Sequence, residues 1–82
     1  MHDFERFYQD IGRRIAKARR QRPNRVTQDS LAAGVGLSRT SIANIERGRQ
    51  QLLVHHLVAI ARALGVEPGE LLPAPESTPP EL

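Results

Sequence analysis

The chain has no cysteine and no tryptophan, and aromatic residues make up only 4% of its 82 positions. Without thiols there is no disulfide framework, no thiol nucleophile and no cysteine-based zinc site. The aromatics Phe4, Phe7 and Tyr8 crowd the N-terminus, which argues against recognition by stacking single-stranded bases on a series of rings. No apolar run approaches the ~20 residues that span a bilayer, and no charged-then-apolar leader opens the chain, so a cytoplasmic protein is expected. Acids are scarce where bases are dense: residues 1–66 hold all 12 bases and 5 acids, whereas residues 67–82 hold 4 acids and no base. A basic body of this kind implies an anionic partner. Eleven of the bases are arginine, which forks onto a phosphate or a guanine edge where lysine is a point charge. A high-GC coding bias would account for arginine over lysine, but not for the segregation of bases from acids.

At this length a single small domain is expected, near the lower range in which one core suffices without disulfides or metal. Phe4, Phe7/Tyr8, Ile11, Ile15 and Ala18 recur at three and four residues, which predicts a first helix over 4–21 with Asp3 as its N-cap and a basic outer face. Pro23 ends it, and Thr27 caps the next. Val54, Leu57, Ile60, Ala61 and Leu64 mark a helix over 52–64 that Gly65 terminates. Pro68 suits the first turn of a short fifth helix ending at Leu71-Leu72. Pro73, Pro75, Pro79 and Pro80 then interleave with Ser, Thr and Glu, so 73–82 is expected to be a Pro-rich disordered tail.

The most informative stretch runs from Thr27 to Gly48, TQDSLAAGVGLSRTSIANIERG. Leu31, Ala32 and Val35 form one narrow apolar stripe and Ile42 and Ile45 a second, so two short helices are predicted. Between them Gly36 can adopt the left-handed conformation that ends a helix, and Ser38 offers a side-chain oxygen to cap the next. The outward positions of the second helix are Arg39, Thr40, Ser41, Asn44 and Arg47, all able to hydrogen-bond a base edge or a phosphate. That is the pattern of a DNA-reading helix-turn-helix.

Gln28 opening the first motif helix, Leu31-Ala32 within it, Gly36 at the turn, Ser38 capping the second, Ile42, and the run Ile45-Glu46-Arg47-Gly48 resemble the phage repressor, Cro and Xre-like helix-turn-helix family. The resemblance extends from about Ile11 to Leu72. It implies an all-α, five-helix repressor-like domain over 1–72, with its motif at about 27–48. Leu52 and Leu53 stand where many relatives carry proline and a capping serine or threonine. The expected core is Ile11, Ile15, Leu31, Val35, Ile42, Ile45, Leu57, Ile60, Ala61, Leu64 and Leu71.

Within that frame the recognition helix 39–47 enters the major groove, which admits an α-helix. Arg39, Thr40 and Asn44 are the candidates for base contacts, Arg39 on guanine, Asn44 on adenine and Thr40 on a thymine methyl or else a phosphate. Gln28, Ser38, Ser41, Arg47 and Arg49 are the candidates for phosphate contacts, Gln28 with the free N–H groups of a helix start behind it. An acid on a DNA-binding face repels phosphate unless neutralised. By the resemblance Glu46 pairs with Arg19, as a structural tie and not a site residue.

The function implied is a sequence-specific double-stranded DNA-binding transcription regulator, an autorepressor that reads a palindromic operator as a homodimer. Two apolar groups are left over as candidates for the dimer seam, Leu52, Leu53, Val58 and Leu72, or Phe4, Phe7 and Tyr8; either could instead complete the core. The rivals are an antitoxin-type protein-interaction module that neutralises a partner toxin, and a restriction-modification controller protein. No cofactor, metal or membrane partner is expected, and no catalysis. Asp29, Ser30 and His55 form no triad motif, and His55 and His56 project about 100° apart on a helix, unsuited to share a metal. His2 is assigned to the terminus.

Overall fold

A computed structural model describes residues 4–21, 23 and 25–74. Its first helix, α1, runs Glu5–Gln21 and buries Ile11, Gly12, Ile15 and Ala16 along one face. Phe7 and Tyr8 are half-buried against the core, with their rings edge to face at 5.3 Å. Two of the three N-terminal aromatics thus pack on the core. The proposed cap Asp3 and His2 lie outside the described residues.

Helix α2 spans Gln28–Val35 and α3 spans Arg39–Glu46. The Thr27 Oγ1 accepts from the Ser30 N–H at 3.0 Å, so one of the orphan donors at the start of α2 has a partner. Gly36, at φ 75°, closes α2 in the left-handed region, and the Leu37 N–H returns to the Ala32 carbonyl at 3.0 Å. Only two residues separate this turn from α3, and Ser38 repeats the capping by accepting from the Ser41 N–H at 3.0 Å.

Helix α4 covers Val54–Leu64, two residues shorter than the expected span from Leu52. Leu53 is the N-cap, in extended conformation and with no side-chain hydrogen bond, because leucine offers no acceptor to the first turn. Leu52, just before it, packs against the core that contains Leu57. An apolar residue before the cap meeting one in the first turn fixes the chain's entry into the helix, in place of a polar cap.

The expected fifth helix is a single 3-10 turn, Pro68–Leu71, so the described residues hold four α-helices and not five. Pro68 supplies no N–H, and Pro73 pushes the preceding Leu72 into extended backbone, leaving too few residues for an α-helical turn. Leu71 is nonetheless fully buried. Pro73 is buried as well, so the packed body continues past the boundary expected at 72. The remainder of the proposed tail, 75–82, lies outside the described residues.

The core joins all these elements: Ile11, Ile15, Leu31, Ala32, Ile42, Ile45, Leu57, Ile60, Ala61, Leu64 and Leu71 form one buried cluster. Val35, expected within it, is half-buried at the open end of α2 and packs on its edge.

The approach of α1 to α3 is set by Gly12. A Cβ at this position would collide with the carbonyl oxygens of Ile45 and Glu46, the last residues of α3. Only glycine lets the two backbones come so close, and the contact fixes α3 against α1. Gly48 makes a similar approach to the Gln9 backbone, at φ 73°.

Candidate nucleic-acid interface

The alternation along α3 decides what it can present. Ile42 and Ile45 are 0% and 2% exposed, so they hold the helix on the core, while Arg39, Thr40 and Arg47 are exposed and Ser41 and Asn44 half-buried. Side chains four residues apart stand one above the other on a helix. Arg39 and Ala43 therefore share a row with Arg47, and Thr40 shares one with Asn44. This face carries guanidinium, hydroxyl and amide groups on a rigid support.

The two candidate serines are tied to each other. Besides the capping bond, the Ser38 and Ser41 hydroxyls lie 3.1 Å apart. One hydroxyl hydrogen is used between them, and the other is free to donate to a phosphate. Arg49, exposed beyond the end of α3, is fixed at its backbone by an N–H donated to the Asn44 carbonyl at 2.9 Å.

Glu46 is the one acid on α3, and its neutralisation is complete. Arg19 donates from Nε to Oε2 at 2.7 Å and from its terminal nitrogen Nη2 to Oε1 at 3.0 Å. The side chains of this forked pair are 11% and 5% exposed. Arg19 also donates to the Val26 carbonyl at 3.1 Å, bracing the loop before α2. The hydrogen bond with Glu46 raises the Arg19 pKa above its ordinary value; burial opposes this and the Glu46 charge reinforces it.

Gln28 is the third member, a role the sequence reading missed. Its Nε2 donates to Glu46 Oε1 at 3.0 Å, which holds the amide at the start of α2 and leaves a second amide N–H for a ligand. A separation of 18 residues carries no periodic signal that would reveal this. The same fixed amide borders a cleft with Arg20, Arg25 and Arg39 on its walls. Among the described residues no acid lies within ion-pair distance of Arg20, Arg25, Arg39, Arg47 or Arg49.

The histidines do not diverge as a simple helical projection suggests: the His55 and His56 rings lie 4.3 Å apart, tilted by 50°. Their side chains lean together from neighbouring positions. Among the described residues no group of three or more His, Cys, Asp or Glu side chains is placed to hold a metal. No described helix is long and apolar enough to cross a membrane.

Residues 15–71 match the helix-turn-helix family model HTH_3. The chain is 36% identical over 62 residues to control protein C.BamHI of Bacillus amyloliquefaciens, a match spanning 76% of this chain and 75% of the relative. It is 35% identical over 69 residues to the uncharacterized HTH-type transcriptional regulator y4dJ of Sinorhizobium fredii, spanning 84% and 87%. Among solved structures, the restriction-modification controller protein C.AhdI from Aeromonas hydrophila superposes with a TM-score of 0.78 at 30% identity, covering 87% of this chain and 100% of that one. The chain belongs to the helix-turn-helix family.

Proposed function

We propose that this helix-turn-helix chain is a sequence-specific double-stranded DNA-binding transcription regulator whose reading element is α3. The observation that carries the proposal is the face of α3. Arg39, Thr40, Asn44 and Arg47 stand on a fully packed apolar support, and the one acid of that helix is sealed by Arg19 and Gln28. In the major groove, Arg39 reads guanine, a bidentate pair worth ~1–3 kcal/mol of discrimination. Asn44 and Thr40 reach neighbouring bases, while Gln28, Ser38, Ser41, Arg47 and Arg49 hold the phosphates.

One such module covers too few base pairs to be selective, and a two-fold dimer that places two α3 helices about 34 Å apart would read a palindrome on one face of the duplex. Apolar surface for the seam is present on and beside α4: Leu53 is 59% exposed and Val54 78%, with Val58 and Leu72 also exposed. These exposed apolar side chains are the surface we assign to the seam. In this reading the protein acts in the cytoplasm, where its duplex target lies.

Two relatives are named as controllers of restriction-modification systems or as control proteins, and this favours a narrower second reading in which the chain controls such a system. Restriction and methyltransferase reading frames beside its gene would support that reading.

Footprinting on the DNA upstream of the protein's own gene tests regulation and supplies the operator. Arg39→Ala is expected to erase discrimination at one or two positions of each half-site while leaving binding to random DNA largely intact; Arg47→Ala is expected to weaken all sequences about equally. Equal losses on operator and random DNA for Arg39→Ala would demote it to a phosphate contact. Absence of any duplex binding would end the reading.

A further inference from the structure

The positive charges of α1 are not equivalent, and the structure sorts them. Arg19 is consumed by Glu46. Arg14 reaches Asp10 at 3.4 Å and the Glu70 carbonyl at 3.4 Å, on the side of α1 that meets the 3-10 turn. Arg13 shares the same Asp10 at 3.6 Å. Lys17 and Arg20 are exposed, and among the described residues no acid lies within ion-pair distance of either.

Arg13, Lys17 and Arg20 stand at i, i+4 and i+7, a single row along α1. Like charges at this spacing weaken a helix, and beyond the Asp10 carboxylate that offsets Arg13 the row has no anionic partner among the described residues. Its position is open to one from outside. The row forms one wall of a groove whose opposite wall is Ala43 and Arg47 of α3, with Gln28 also lining it. The close approach at Gly12 keeps α1 beside the recognition helix, and the small Ala43 leaves the groove open. The Glu46 carboxylate also lines the groove, but it already accepts two bonds from Arg19 and one from Gln28, so no free anion repels a phosphate there. Arg20 and Gln28 border this groove and also the cleft that holds Arg25 and Arg39. The two hollows thus adjoin at these residues, and the second also carries the exposed Asp29 beside its arginines.

We infer that this groove takes the sugar-phosphate strand of the bound duplex, with Lys17 and Arg20 of α1 as phosphate-binding residues that extend the contact beyond the helix-turn-helix. The inference rests on the DNA-binding reading above. The occupant is the same duplex held by Gln28 and Arg47, because those two side chains line the same groove, whose one acid, Glu46, is already bonded to Arg19 and Gln28.

The test is a salt titration of binding to a mixed-sequence duplex and to the footprinted operator, followed by fluorescence anisotropy. Each phosphate neutralised contributes about 0.9 to the slope of log affinity against log salt. The double variant Lys17→Gln/Arg20→Gln is therefore expected to flatten the slope by about 1.8 on both duplexes, with the operator-to-mixed affinity ratio unchanged. Arg14→Gln, held by Asp10 and the Glu70 carbonyl and outside the lining of this groove, is expected to leave the slope as it is. The charge-keeping variant Lys17→Arg/Arg20→Lys is expected to retain the wild-type slope, which separates charge from any effect on folding. A wild-type slope in the double glutamine variant overturns the inference while leaving the DNA reading standing. A wild-type protein that binds neither duplex overturns both.

Discussion

Replacing Glu46 with alanine removes a carboxylate that is only 5% exposed and accepts three hydrogen bonds, two from Arg19 and one from Gln28. The Arg19 guanidinium, 11% exposed, would keep a single partner, the Val26 carbonyl. It could not escape by losing its proton, since arginine stays charged throughout the range in which proteins fold. Breaking a buried pair from one side costs about 3–5 kcal/mol, and the residual access of water to Arg19 places this case near the lower end, about 3 kcal/mol. A chain of this size has a total stability of roughly 4–12 kcal/mol, so the loss is a large fraction of it. At about 4–8 °C per kcal/mol for a small domain, the melting temperature should fall by roughly 12–24 °C, read by circular dichroism or calorimetry.

Glu46→Gln should fall between the two, because the amide oxygen can still accept from Arg19 while its NH2 group faces other donors. The pH dependence has a defined sign on the arginine side. A group whose pKa is raised in the folded state contributes stability that is fully present below its unfolded value, here the ordinary arginine value, and lost only as pH climbs through the folded one. Arg19 should therefore add no slope to melting temperature between neutral pH and the onset of arginine deprotonation. A Glu46→Ala variant that melts within a few degrees of wild type and binds DNA more tightly would refute the argument, showing Glu46 to be a surface acid that merely opposes phosphate.

Two further outcomes follow from packing. Alanine is better than glycine in a helix by roughly 0.8–1 kcal/mol, yet Gly12→Ala should lower the melting temperature because its Cβ would meet the α3 carbonyls, overpacking of a kind that costs about 1–3 kcal/mol; a rise in melting temperature would show that α1 and α3 part easily. Leu53→Ser with Val58→Ser should convert a dimer to a folded monomer in sedimentation, since Leu53 is 59% exposed and Val58 38% in the single chain; persistence of the dimer would place the seam elsewhere.

Local chemistry was the legible part of this chain. Thr27 and Ser38 can act as caps by virtue of their own side chains, Gly36 and Gly65 can turn left-handed because they lack a Cβ, and the apolar stripes of α1 and α4 repeat at helical spacing. Each of these properties belongs to a residue and its immediate neighbours, and each helix they imply is present. The miscounted fifth helix fails for the same reason in reverse. Pro68 is a good first residue for a helix, but the extended Leu72 before Pro73 leaves that start no length to propagate.

Charge is where the sequence stops being sufficient, because the meaning of a cation depends on what the fold sets beside it. Arg19 and Lys17 are two residues apart on the same helix, yet one is sealed against an acid 27 residues away and the other faces a groove without a partner. The resemblance to a known family supplied Arg19 and Glu46 as a pair, but not Gln28 as the amide that completes it, nor Gly12 as the residue that brings the pair within reach. These belong together physically. A closer α1 is possible only without a side chain at Gly12; once close, Arg19 can cover Glu46; once covered, Glu46 can orient Gln28 instead of repelling the ligand. The glycine in the middle of a strong helix was the one visible sign of that sequence of dependencies, since such a residue is tolerated there only when something must come near. A search for basic grooves in related chains should therefore begin from the glycine that sets the helix spacing and then ask which cations remain unpaired, before counting arginines.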